Sequence, residues 1–285
     1  MEESFVMEIY KKPDWNELWK RQMLASRKSR NDMDCAQHWD NEDSARRFDE
    51  RAKADGRKKA IDTIKGLPVH AGSRVLDIGA GPGTHTIPLA HIASHVTAVE
   101  PSSAMMSCLN SNLAEEGLDN VLCVREKWED VDVKNDLVPP YDIVIASFSL
   151  GMADIAGAIE KMNEACSGHV YLYWFAGVPY WEKVYSELWE ELHGCSFIGR
   201  PRIDYIFNLL YDMGIYANVS VYPEEYCYCY SSLDEAVGDL STGYNVRDDR
   251  QRNILRDYLG QKLEKKEEGL TMKGQSYYAR IWWKV

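Results

Sequence analysis

Val75-Leu-Asp-Ile-Gly-Ala-Gly-Pro-Gly-Thr-His-Thr-Ile-Pro-Leu-Ala90 is the stretch that decides the fold. Val75 to Ile78 reads as a buried strand. Gly79, Gly81 and Gly83 read as a tight turn, and a helix is predicted from about Thr84. A strand, a glycine turn and a helix N-terminus in that order make a nucleotide-binding corner. Glycine lets a ligand come within contact distance of the backbone, and the first turn of a helix offers N–H groups with no partner of their own.

Outward from this corner the strand signal repeats. Apolar runs at 74–78, 95–99, 121–124, 141–148 and 169–175 alternate with helical patterns at 84–93, 102–116 and 152–166. That alternation predicts a parallel, doubly wound sheet. Upstream, Asp14 after Pro13 can cap a helix with Trp15, Leu18, Trp19, Met23 and Leu24 on one face, and further helices are expected at 44–54 and 57–65. This quarter of the chain has no sheet of its own. It reads as packing against the next domain, or as a lid over that domain's ligand, and the two are compatible.

Downstream of Gly177 the alternation stops. Helices are expected at 180–193, 203–213, 232–240 and 247–265, and strands at 216–222, with 225–230 as its extension after Pro223, and at 276–285. The expected fold is α/β: a doubly wound, mostly parallel sheet with an antiparallel C-terminal strand pair. A helical N-terminal segment or lid (1–66) precedes a core (67–178), and helical cap insertions plus the last two strands (179–285) complete it.

Composition narrows the function classes. The chain has 285 residues and a formal net charge of −12, which disfavours a non-specific nucleic-acid binder. The basic stretches 20–30 and 51–59 read as solvated helix faces. There is no run of eighteen apolar residues and no signal-peptide pattern, so no membrane partner is expected. Seven cysteines at irregular spacing do not make a disulfide framework, which fits a reduced, cytoplasmic setting.

Which nucleotide the corner holds follows from what surrounds it. A triphosphate P-loop needs Gly-Lys-Ser/Thr, but Gly83 is followed by Thr84-His85. A dinucleotide fingerprint needs a glycine in its sixth position, where Thr84 or Thr86 stands. Asp77-Ile-Gly79-Ala80-Gly81-Pro-Gly83-Thr84 instead resembles the first motif of class I methyltransferases that use S-adenosylmethionine (SAM). The charges suit that ligand: SAM carries an ammonium and a sulfonium but no phosphate, and Asp77 can attract its cationic amino-acid end.

The resemblance covers roughly residues 40 to 175 and assigns further roles. Glu100, twenty-three residues after Asp77 and followed by Pro101, takes the ribose-binding position at the end of the second strand. Met105 takes the position that covers the adenine. In Arg125-Glu126-Lys127-Trp128, the Glu126 side chain and the backbone near Trp128 take the adenine-edge positions, in a register free to slip by a residue or two. Ser147 and Phe148 come near the sulfonium, and Ser149 and Met152 near the acceptor.

Methyl transfer from a sulfonium is an in-line displacement in which the protein mainly orients and desolvates. No residue declares itself a catalytic base: His38, His85, His91 and His169 carry no motif. His38, Trp39, Trp174 and Tyr205 are candidate acceptor contacts, although large aromatics more often form ordinary core. Cys227 and Cys229 read as small buried hydrophobes, with metal or metalloid binding as the sharper alternative; no resident metal is expected. A small-molecule acceptor in an enclosed site is expected. Protein or RNA methylation, or a SAM-binding module without catalysis, are the alternatives. The Asn/Asp-Pro-Pro-Tyr/Phe motif of nucleobase and glutamine amino methylation is missing at 147–150. Neither the acceptor atom nor the oligomeric state is written in any motif.

Overall fold

The computed structural model describes residues 12–30, 37, 39–266 and 269–285. Its strands are β1 (Arg74–Ile78), β2 (His95–Val99), β3 (Val121–Val124), β4 (Tyr141–Ser147), β5 (Cys166–Phe175), β6 (Asn218–Tyr230), β7 (Glu264–Lys266) and β8 (Gly269–Lys284). Its helices are α1 (Trp15–Ser29), α2 (Glu42–Ala54), α3 (Lys58–Lys65), α4 (Thr86–Ala90), α5 (Ser103–Glu116), α6 (Ile155–Ala165), α7 (Tyr180–His193), α8 (Ile203–Asp212), α9 (Leu233–Gly243) and α10 (Asp249–Lys262). The sheet runs β3-β2-β1-β4-β5-β8-β6, with β7 beside β8. The first five strands are parallel, and β8 is antiparallel to both β5 and β6.

Both faces of the parallel strands are covered, which is why they read as continuous apolar runs. On one face Leu76, Ile78, Val144, Leu172 and Trp174 pack with Trp19 of α1, Ile159 of α6 and Ile206 of α8. On the other, Val75, Ile143, Ile145, Tyr171 and Tyr173 pack with Ile64 of α3 and Leu89 of α4. A separate cluster (Val184, Leu188, Ala236, Leu240, Leu255, Leu259) joins α7, α9 and α10 into a helical cap. The cap sits on Tyr230 and Met272, on the part of the β6–β8 ribbon that extends past β5.

Several expectations need correction. The helix after the glycine turn starts at Thr86, because left-handed glycines carry the turn further. Leu24 is exposed, and α1 buries Trp19, Met23 and Ser26 instead. Helix α6 starts only after Asp154, whose carboxylate caps it by accepting from the Gly157 N–H. Strand β6 starts at Asn218 rather than Tyr216 and runs on through Pro223, as its expected extension implies: it is the edge strand of the sheet, where a missing N–H is tolerated. Lys265 is in β7 rather than a helix, and β8 starts at Gly269 rather than Ser276. The charged residues before Gly269 favour a helix locally but have no apolar face to bury, so the ribbon pairing wins. Cys227 and Cys229 are exposed rather than buried, because alternate residues of β6 face away from the cap.

One contact fixes the cap on the ribbon. A Cβ on Gly274 would lie 2.1 Å from the Tyr180 ring, so the ring of α7 occupies the space a side chain would need. The Tyr180 N–H also donates to the Ser276 hydroxyl (2.6 Å). Gly274→Ala is expected to destabilise the protein by about 1–3 kcal/mol through overpacking. In a Tyr180→Ala background the same change should cost much less, and urea denaturation of the four-protein cycle measures the difference.

Candidate active site

The strand order reverses at β1, with β2 on one side and β4 on the other. In open α/β sheets the ligand crevice lies at the carboxyl ends of the strands at such a switch point. The glycine turn follows β1 there, Glu100 follows β2, the Arg125–Trp128 stretch follows β3, and Phe148 follows β4.

The turn is held by the end of β2. The Gly79 and Ala80 N–H groups both donate to the Val99 carbonyl (2.8 and 3.1 Å). The Glu100 carboxylate accepts from the N–H of Gly81 (2.9 Å) through one oxygen and of Ser102 (2.8 Å) through the other. Each oxygen keeps a further lone-pair direction, enough for two hydroxyl donors. Gly79 and Gly81 have φ of 72° and 56°. A Cβ at Gly79 would lie 2.2 Å from that of Ser149, so this glycine makes room for the loop after β4. At Gly81 nothing lies within 4 Å, leaving an open approach to the backbone. A Cβ at Gly83 would meet Leu109 of α5 at 2.6 Å.

Asp77 is buried and accepts from the Thr86 hydroxyl (2.7 Å). Burial pushes its carboxyl up to about 6; the Thr86 hydrogen bond opposes this and the charge of Glu100 adds to it. Burial also raises the Glu100 carboxyl, against the two N–H groups that favour its charged form. Two neighbouring, buried acids in a crevice form a site for a positively charged group. The Thr84 hydroxyl is buried without a hydrogen-bond partner, another polar group available to a ligand. Burial pushes the His85 imidazole down to about 4, so it is neutral at pH 7. These residues fit a ligand with an ammonium and a ribose diol.

Around this centre the other predicted residues divide. Pro101 is half-buried, and Met105 is buried with Ala45 and Ala104 beneath Trp39 and Phe48. Glu126 and Lys127 are exposed on the loop after β3. The Trp128 ring is in the core, donating to the Ala158 carbonyl (3.1 Å), so only its backbone is available to a ligand. Lys161 of α6 holds this loop by donating to the carbonyls of Trp128 (2.9 Å), Glu129 (2.8 Å) and Val131 (2.8 Å). Ser147 is half-buried, and the Ser149 hydroxyl donates to the Ile78 carbonyl (2.6 Å). Phe148 has φ of 55°, a strained conformation for a bulky residue. Its ring lies 5.1 Å from Phe175 and 5.9 Å from Tyr278.

The candidate acceptor contacts are dispersed. The Trp39 carbonyl accepts from the Ser102 hydroxyl (3.1 Å), beside the Glu100 corner. Next to it, the Asp40 carboxylate accepts from the Ser103 hydroxyl and from the N–H groups of Ser103 and Ala104 at the start of α5. Those bonds, the Ser103 hydroxyl first, hold its carboxyl below the usual range. Trp174 is wholly buried, donates to the Pro201 carbonyl (2.9 Å) and touches Trp19, so it is core rather than a cavity wall. Met152 is core too, and its carbonyl accepts from the Trp19 N–H (2.8 Å). Tyr205 lines a shallow groove of about 600 Å³ with Leu18, Arg21, Gln22, Leu24 and Ala25; none of these belongs to the glycine turn or to a strand end. His38 lies outside the described residues.

Thr86, Lys161 and the pair Asp49–Asn112 escaped the sequence reading. Asn112 donates to the Asp49 carboxylate (2.9 Å) and the Pro82 carbonyl (2.8 Å), tying α2 to the glycine turn through α5. Its signal was a polar residue on the apolar stripe of α5, level with Met105, Leu109 and Leu113.

Comparison with known proteins agrees with this fold. Residues 75–167 match the family described as a methyltransferase domain. An uncharacterised protein of Haemophilus influenzae is 29% identical over 78% of this chain and 80% of its own length. Ribosomal RNA small subunit methyltransferase G of Klebsiella pneumoniae is 32% identical over 39% of this chain, which spans about half (52%) of that relative. The fold is shared with the YcgJ protein of Bacillus subtilis (TM-score 0.54, 16% identity, 79% of this chain and 97% of that one). A Bacillus halodurans chain shares it as well (TM-score 0.54, 13% identity, 80% and 98%). With its matched domain, its switch-point crevice and its paired acids, the chain carries a SAM-dependent methyltransferase domain with a Rossmann-like core.

Proposed function

We propose that this enzyme methylates a small molecule held in a crevice closed by its N-terminal helices. The observation that carries the reading is where those helices attach. Trp39 and Asp40 bond to the start of α5 beside Glu100. Helix α1 reaches the loop after β4, where Trp19 donates to the Met152 carbonyl and Arg27 to that of Gly151. The crevice is thus flanked at one end by Trp39 and Asp40 and at the other by α1, which serve as the lid. A site built this way suits a small acceptor better than a folded RNA, and the net charge of −12 points the same way.

In this reading Asp77 holds the ammonium of SAM, Glu100 the ribose diol, and the Gly79–Gly83 backbone the chain between them. Ala80, Thr84 and Pro101 complete that wall. Met105 and the Glu126–Trp128 backbone border the adenine, and Ser147 and Phe148 border the sulfur. SAM supplies an activated methyl, so the chain's own residues orient the acceptor and exclude water. The strained Phe148, with Phe175 and Tyr278, gives the reacting end an apolar wall.

Purified protein with SAM should release S-adenosylhomocysteine when given a low-molecular-weight metabolite fraction, and not when given total RNA. Turnover with RNA alone would reverse the acceptor assignment. The ionisation of Asp77 gives a second expectation. Its folded pKa of about 6 exceeds the ordinary 3.8, so stability falls as pH rises from about 4 to 6 and stays lower above that window. Asp77→Asn should therefore stabilise the ligand-free protein at pH 8 by up to roughly 3 kcal/mol, with no gain below pH 4, while SAM binding is lost. Urea unfolding at the two pH values, with calorimetry for SAM, checks both halves. Lys161→Met removes three charge-assisted hydrogen bonds from the adenine-side loop, and calorimetry should show SAM binding weakened about tenfold.

A further inference from the structure

Cys227 and Cys229 lie on β6 with their Sγ atoms 3.0 Å apart, and both are exposed. Residues two apart on a strand share a face, and this face of β6 is open along its length while Tyr226, Tyr228 and Tyr230 turn the other way. Directly across on β8, Lys273 faces Cys227 and Thr271 faces Cys229. The Thr271 hydroxyl is buried without a hydrogen-bond partner.

The separation of the sulfurs selects among sulfur chemistries. An S–S bond is about 2.05 Å long, and its Cα atoms are at most about 6.8 Å apart. Two residues of extended strand already span roughly 6.6–6.8 Å. An internal disulfide would thus sit at the upper limit of the Cα separation that the bond accepts, and its sulfurs would have to close from 3.0 Å to bonding distance. A single larger atom bridging the two sulfurs does not require that approach. Zinc asks for four ligands, and among the described residues no group of three or more His, Cys, Asp or Glu could hold a metal ion.

We propose that Cys227-Tyr-Cys229 is a dithiol site that chelates a trivalent, thiophilic centre of the monosubstituted arsenical type. With phenylarsine oxide the step balances without redox change. Two As–S bonds replace the arsenic–oxygen bond, and the oxygen leaves with both thiol protons as one water. The site is independent of the assignment of the methyl acceptor, since no residue of the glycine turn or of the strand ends takes part.

Intact-mass measurement of the full chain with one equivalent of phenylarsine oxide in excess 2-mercaptoethanol tests this. One phenylarsenic group per chain should persist against the monothiol and leave on addition of dithiothreitol. Cys227→Ser and Cys229→Ser should each abolish it, while Cys195→Ser and Cys35→Ser keep it. Circular dichroism and SAM calorimetry verify that the serine variants are folded, and valine at both positions gives a second disruption should serine perturb the strand. Stripping of the adduct by the monothiol, or its survival in the Cys227→Ser/Cys229→Ser double variant, would overturn the proposal. So would loss of two hydrogens to an internal disulfide with no arsenical uptake.

Discussion

The Val99 carbonyl accepts from two successive N–H groups, those of Gly79 and Ala80, and the crevice is built around that point. Parallel pairing sets Ile78 level with Val99, so the chain leaves β1 where β2 ends. Only a backbone free to take left-handed φ turns there tightly enough to bring both donors onto one oxygen. Gly81 then reaches the Glu100 carboxylate. Asp77, on β1, and Glu100, after β2, are thereby brought into electrostatic contact while both are buried. The charge character of the site is thus a consequence of backbone geometry.

That geometry recruits the rest of the chain. Asn112 carries it from Pro82 to Asp49 and so to α2. Ser149 fills the space that Gly79 leaves and donates to Ile78, which couples the loop after β4 to the same turn. The loop after β3 is fastened from behind by one ammonium, that of Lys161. Flanking elements with little regular structure near the crevice are in this way placed by a few polar contacts rather than by apolar area. Such contacts hold their geometry because leaving any member unpaired is costly.

The five parallel strands were legible because their apolar runs and the glycine turn agree on one architecture, and the nearness of Asp77 and Glu100 was legible because one stands in β1 just before the glycine turn and the other directly follows β2. Side-chain direction was harder to read. Trp128 and Trp174 sit at promising positions along the chain, but their large rings gain more from burial, and each N–H finds a carbonyl partner in the core. Lys161 and Asn112 act across 30 residues or more on backbone atoms, and sequence spacing does not mark such contacts. That the strand before Pro223 continues past it was legible, but the edge position that permits the proline is a property of the assembled sheet. The same is true of Cys227 and Cys229: their exposure depends on which face the cap covers.

Beyond Phe175, β6 and β8 continue with each other as a narrow ribbon, and the cap is mounted on one side of it. Such a mount imposes a parity rule on how the ribbon can lengthen or shorten during descent. Inserting two residues in each strand would shift the cap outward and leave every side chain on its own face. Inserting one would rotate Tyr226, Tyr228 and Tyr230 into solvent and turn both cysteines under the helices. Length variants of this ribbon among descendants should therefore differ in steps of two, whatever sequence they carry.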